Sequence, residues 1–103
     1  MAELIKIYWR DIPSQVTVKK GRKTAKVALP ARFQEGIDRA AMRAGKGTSD
    51  AYMEDWKRIR SQCSDDLQAE ADKAAEELIA AFSDEYLEAV VKAKGIESDA
   101  KTS

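Results

Sequence analysis

Apolar and polar positions alternate from Leu4 to Trp9, placing Ile5, Ile7 and Trp9 on one face of an extended segment and Leu4, Lys6 and Tyr8 on the other. β-Branched and aromatic residues suit a half-buried pleated surface, and the Ile5, Ile7, Trp9 face is expected to point into the core. Asp11-Ile12-Pro13-Ser14 breaks the strand, because Pro13 fixes φ and offers no N–H to a ladder. Gln15 to Lys19 alternates again, with Val16 and Val18 inward. Lys20-Gly21-Arg22-Lys23 reads as a tight turn in which Gly21 is free to take positive φ. Thr24 to Leu29 suits a third short strand with Ala25, Val27 and Leu29 inward, while Lys26 and the alanines also fit a helix.

After Leu29-Pro30 the spacing becomes helical, with Phe33, Ile37, Ala40, Ala41 and Ala44 forming a stripe. Pro30 suits the first helical position, where its missing N–H would be unpaired anyway. Gly36 costs about 1 kcal/mol relative to alanine inside a helix and marks close packing on the sheet. Gly45 and Gly47 end this helix. A second helix is expected from Thr48-Ser49-Asp50, with Ser49 as N-cap, Asp50 against the helix dipole, and Tyr52, Trp56 and Ile59 along one face. Ser61-Gln62-Cys63-Ser64 interrupts it. Ser64 is expected to cap a third helix with Asp65 and Asp66 in its first turn; its apolar stripe runs through Leu67, Ala71, Ala74, Ala75, Leu78, Ile79 and Phe82. Ser83 caps a fourth, with Leu87, Val90 and Val91 inward and Gly95 closing it. Strands followed by helices give an α+β fold, a two- or three-stranded antiparallel sheet at the N-terminus covered by three to four helices. One domain is expected over residues 1–96, with a flexible tail over 97–103.

Composition agrees with a single folded core: 35% of the 103 residues are charged and 44% hydrophobic. The N-terminus has no charged stretch followed by an apolar run and no segment approaches a bilayer span, so a soluble cytoplasmic protein is expected. Cys63 has no second cysteine to pair with. The chain has no histidine, which removes imidazole bases, Cys–His and Ser–His pairs and imidazole metal ligands. Neither a cofactor motif nor a metal-ligand spacing is present, and no catalytic set is expected; Asp11, Asp38 or a lysine would have to carry any small-enzyme chemistry. The net charge of zero hides an asymmetry: 14 Lys/Arg against 7 Asp/Glu up to Arg60, then 4 against 11 from Ser61 onward. Such a chain either pairs its halves internally or presents two faces of opposite sign.

Two groups of residues are candidates for binding. Lys19, Lys20, Arg22, Lys23 and Lys26 surround Gly21, and would grip phosphates if nucleic acid were the partner; equally, they form a solvated turn whose lysines discourage strand pairing. Tyr8-Trp9-Arg10-Asp11 ends the first strand with large rings beside an ion-pair-forming couple, the residue types enriched at protein-binding hot spots. A surface for a protein partner would draw on Trp9, Arg10, Asp11, Gly21, Arg22 and Trp56. Cys63 has carboxylates for neighbours, which disfavour a thiolate, and the acidic residues of the third helix have the spacing of a solvated face.

Residues 7–18, Ile-Tyr-Trp-Arg-Asp-Ile-Pro-Ser-Gln-Val-Thr-Val, with Lys20-Gly21-Arg22, resemble the small bacterial "virulence factor" domain family, whose namesake is the C-terminal part of conserved virulence factor C. The resemblance continues through Leu29-Pro30-Ala31-Arg32-Phe33-Gln34 and Ile37-Asp38-Arg39-Ala40-Ala41-Met42 and ends near Asp50-Ala51-Tyr52 and Trp56, so it covers roughly the first 60 residues. It implies a non-enzymatic accessory or protein-interaction module, linked to one-carbon and cobalamin methyl transfer by the neighbours of stand-alone members. The nucleic-acid reading stands as the alternative.

Overall fold

The computed structural model describes residues 1–45 and 49–97, with residues 49–51 described as backbone only. Its elements run β1 (Ala2–Trp9), β2 (Ile12–Lys20), β3 (Lys23–Ala28), α1 (Ala31–Arg43), α2 (Ser49–Glu54), β4 (Trp56–Cys63), α3 (Leu67–Ala81) and α4 (Asp84–Lys92). The strands form one antiparallel sheet in the order β3-β2-β1-β4. The architecture is therefore α+β with the sheet covered by helices, as the chain order implies, but the sheet has one strand more than expected.

The extra strand replaces most of the second helix read from the sequence. α2 stops at Glu54, and Trp56–Cys63 pairs with β1 along its whole length, from Ala2↔Cys63 to Trp9↔Trp56. Trp56 and Ile59 are three apart and fit a helix, but Trp56, Arg58, Arg60 and Lys57, Ile59, Ser61 fit a period of two equally well. Pairing with β1 over eight residues, from Ala2↔Cys63 to Trp9↔Trp56, settles the segment as a strand, with the packing of Trp56 against Tyr52 fixing its start.

Cross-strand partners share a face of the sheet. Val16 and Val18 are fully buried under the helices, and their β1 partners are Lys6 and Leu4. Leu4 and Tyr8 pack against the core, whereas Ile5 and Ile7 lie opposite Thr17 and Gln15 on the other side. Ile5 is buried (6% exposed) and Trp9 fully so, as expected, but Ile5 and Ile7 face away from the α1/α3 layer, and Ile7 is only half-buried: the strand's apolar alternation is ambiguous, and registration with β2 settles it. Ser14 is the extra residue of a bulge where the pairing steps from Ile7↔Gln15 to Tyr8↔Pro13. Pro13 has no N–H for the ladder, so an irregularity at this point costs little.

α3 crosses β2 and β3, while α1 packs on β2 and α4. The stripes read from the sequence are the buried ones: Phe33, Ile37, Ala40 and Ala41 on α1, Ala71, Ala74, Ala75 and Leu78 on α3, and Leu87, Val90 and Val91 on α4. Gly36 does allow a close approach, but to α4 and not to the sheet: a Cβ there would lie 3.1 Å from Val91 Cγ2. Asp66, not Ser64, caps α3 by accepting from the Ala69 N–H, whereas Ser83 caps α4 through the Tyr86 N–H. The expected caps at Ser49 and Asp50, and Gly47, lie outside the described residues and side chains. The two charge halves are partly stitched together by Lys20–Asp65 (2.7 Å), Arg32–Asp84 (3.3 Å) and the two-pronged Arg39–Glu88 pair.

Candidate binding surface

The Trp9-Arg10-Asp11 segment is tied into the fold at every residue. Trp9 has no exposed surface; it stacks on Tyr52 with centroids 6.0 Å apart, and its indole N–H donates to the Tyr52 carbonyl at 2.8 Å. Arg10 takes a left-handed backbone, φ 53°, which lets the chain reverse after β1. Its amide donates to the Asp55 carbonyl, its Nε pairs with the Asp55 carboxylate at 3.2 Å, and its Nη1 donates to the Lys94 carbonyl at 2.9 Å. Asp11 accepts from the Lys57 ammonium at 3.1 Å and from the Glu97 amide at 2.8 Å, while its own amide donates to the Gly95 carbonyl. Burial works against the Asp11 carboxylate, yet these donors outweigh it and hold the carboxyl below its ordinary value. Tyr86 donates to Glu97 through a short bond, which pushes its phenol up to about 12. These contacts fasten the β1–β2 turn to the α2–β4 junction and to the end of α4. Glu97, at the start of the expected tail, is part of the fastening.

The six residues drawn on for a protein partner therefore do not form one surface. Gly21 and Arg22 occupy the β2–β3 turn, at the opposite end of the nine-residue β2 from Asp11. At about 3.3 Å per residue this puts them roughly 25–30 Å away. Gly21 takes the first central position of that turn at φ 59°, as a two-residue hairpin turn requires of a glycine. Trp56 is half-buried, edge-on to Tyr52 at 5.7 Å. Asp38 accepts from Gln34 one turn away along α1, an ordinary surface pairing.

The basic run also divides. Lys20 pairs with Asp65, and Lys20 and Lys23 share the helix side of the sheet with Val18 and Ala25. Lys19 and Lys26 project from the opposite face, which α2 covers at the Trp9 end and which, among the described residues, no helix covers along its centre. There they join Arg58 and Arg60 from β4 around a shallow concavity of about 340 Å³ floored by Ile5 and Ile7. Glu3 lies within reach, 4.0 Å from Lys19 and 3.9 Å from Arg60. The concavity runs into a cleft of about 730 Å³ whose wall is Tyr52, Met53 and Trp56, with Ile7, Gln15 and Arg58 common to both. Arg58 and Arg60 escaped the sequence reading because their segment was read as a helix; the alternation of Trp56, Arg58 and Arg60 was the available signal.

Elsewhere the chemistry is sparse. Burial first, then the Glu70 and Asp65 carboxylates, push the Cys63 thiol up, against thiolate formation. Among the described residues no group of cysteine and carboxylate side chains is arranged to hold a metal ion, and no helix is long and apolar enough to cross a membrane.

The model of the Virulence factor family matches residues 7–91, and the chain belongs to that family. The match extends well beyond the first 60 residues that carry the recognisable strings, through α3 and nearly all of α4. Neither a curated protein nor a solved structure matches the chain.

Proposed function

We propose that this protein is a non-enzymatic accessory module that docks an acidic protein partner on the open face of its sheet, opposite α1 and α3. The observation that carries this reading is the gathering of Lys19, Lys26, Arg58 and Arg60 from three strands onto one face, over Ile5 and Ile7 and beside the Tyr52–Trp56 cleft. Cations around an apolar floor suit a protein surface that offers carboxylates and apolar side chains together. The family resemblance adds the partner class, a component of a one-carbon or cobalamin-dependent methyl-transfer system.

Nucleic acid is the second reading, favoured by the same four cations. Against it, the Tyr52 ring is already occupied by Trp9 on its face and Trp56 at its edge, which leaves few ring faces for bases to stack on. Affinity capture from host lysate, with and without nuclease, tests the two. The expected outcome is a nuclease-resistant protein partner retained by wild type and lost by a Lys26→Glu, Arg58→Glu double variant. Capture that vanishes on nuclease treatment, or turnover of a substrate by the purified protein, overturns the leading reading.

A further inference from the structure

β4 is an edge strand with one unusual side chain for an edge. Its eight residues pair with β1 without irregularity, and among the described residues no strand pairs with its outer row of N–H and C=O groups. Lys57 to Gln62 are all exposed. On the open face the strand presents Arg58 and Arg60, opposite Ile7 and Ile5. On the other face it presents Lys57, Ser61 and, between them, Ile59, opposite Lys6 and 49% exposed although β-branched and central. Lys57, Arg58 and Arg60 give this edge charge on both faces, which guards it against indiscriminate pairing. An exposed isoleucine between two arginines, on a regular edge, is in addition half of a complementary pattern.

We propose that β4 accepts an added strand from the partner protein, an extended segment in which acidic residues alternate with apolar ones. The acidic side chains would lie beside Arg58 and Arg60, and an apolar one would cover Ile59, while the backbone continues the ladder. A second copy of this chain fits poorly. Any two-fold antiparallel pairing centred on Arg58, Ile59 or Arg60 sets arginine against arginine, because partners must share a face. The proposal rests on the protein-docking reading and names its mode.

The test is fluorescence anisotropy of the whole protein with a labelled peptide of alternating glutamate and valine, as long as β4. A lysine–valine peptide is the charge control. Two further peptides carry N-methyl groups on alternate amides, one on each set. Strand addition uses only the amides along one edge, so one methylated peptide is expected to lose roughly tenfold in affinity per hydrogen bond removed and the other to bind as before. Ile59→Lys is expected to abolish binding and Ile59→Val to keep it, with unchanged circular dichroism in both. Equal binding by both methylated peptides overturns strand addition but leaves docking on the sheet face standing. So does absence of peptide binding while the partner is still captured through Lys26 and Arg58; if that capture fails as well, both readings fall. A concentration-dependent dimer in sedimentation that Ile59→Lys dissolves overturns the proposal in favour of a second copy.

Discussion

Trp9→Phe is expected to be among the most damaging conservative substitutions in this protein. The indole is fully buried, and its N–H satisfies the Tyr52 carbonyl. α2 ends at Glu54, two residues later, so this carbonyl belongs to the last turn, whose acceptors have no partner within the helix. Phenylalanine keeps a ring against Tyr52 but removes the donor, and an acceptor stranded in this way costs about 1–3 kcal/mol. The smaller ring also leaves a gap of a few tens of Å³, which at roughly 24 cal/mol per Å³ adds about 1 kcal/mol. The combined loss of about 2–4 kcal/mol corresponds to a fall in Tm of roughly 10 °C or more for a domain of this size. Urea denaturation followed by far-ultraviolet circular dichroism is the assay; the midpoint should move with the slope unchanged. Trp56→Phe, at a half-buried site without a comparable hydrogen bond, is the control and should cost about 1 kcal/mol or less. A loss below about 1 kcal/mol for Trp9→Phe, or a larger loss for Trp56→Phe, would refute the assignment of Trp9 to the fold's fastening.

Other outcomes follow from the same contacts. The Asp11 carboxyl, held below its ordinary 3.8, contributes stability that is present above pH 3.8 and lost as pH falls through the depressed folded value. Asp11→Asn should therefore flatten the acid limb of stability against pH, and an identical limb would count against the Glu97 and Lys57 contacts. Tyr86 should be a late tyrosine to ionise in an alkaline absorbance titration, near pH 12, and Glu97→Gln should bring it back toward 10.0; the stability it contributes is present below pH 10.0 and declines as pH rises through about 12. Gly95→Ala sets a Cβ 3.1 Å from Trp9 Cζ3 at φ 85°, so strain and overpacking together should cost about 2–4 kcal/mol. Gly21→Ala, at φ 59° in open space, should cost only about 1–2 kcal/mol, and equal losses in the two variants would refute the packing argument. Lys26→Glu with Arg58→Glu should leave stability within about 0.5 kcal/mol of wild type while removing partner binding, which a melting curve beside a binding assay would check.

Short-range patterns in the chain were enough for the helix stripes, the hairpin turn at Gly21, the cap at Ser83 and the α+β class. Each depends on spacing within a few residues: a stripe at Leu87, Val90 and Val91 buries the same face whatever it packs against. The Tyr8-Trp9-Arg10-Asp11 string was also visible, but not its employment. Its residue types are those of a docking site, and only the arrival of Tyr52, Asp55, Gly95 and Glu97 makes them a fastening. Long-range pairing decided what local pattern left open. Leu4 and Ile5 are both apolar, so either face of β1 could have turned inward until Val16 and Val18 took its partners with them. Trp56 to Cys63 satisfies a period of 2 nearly as well as one of 3.6, and its pairing with β1 made it a strand. That choice also assembled the basic face, because Arg58 and Arg60 join Lys19 and Lys26 only when β4 lies beside β1. A strand's side-chain direction is set by the register of its neighbours, and register is a property of the whole sheet that no segment carries alone.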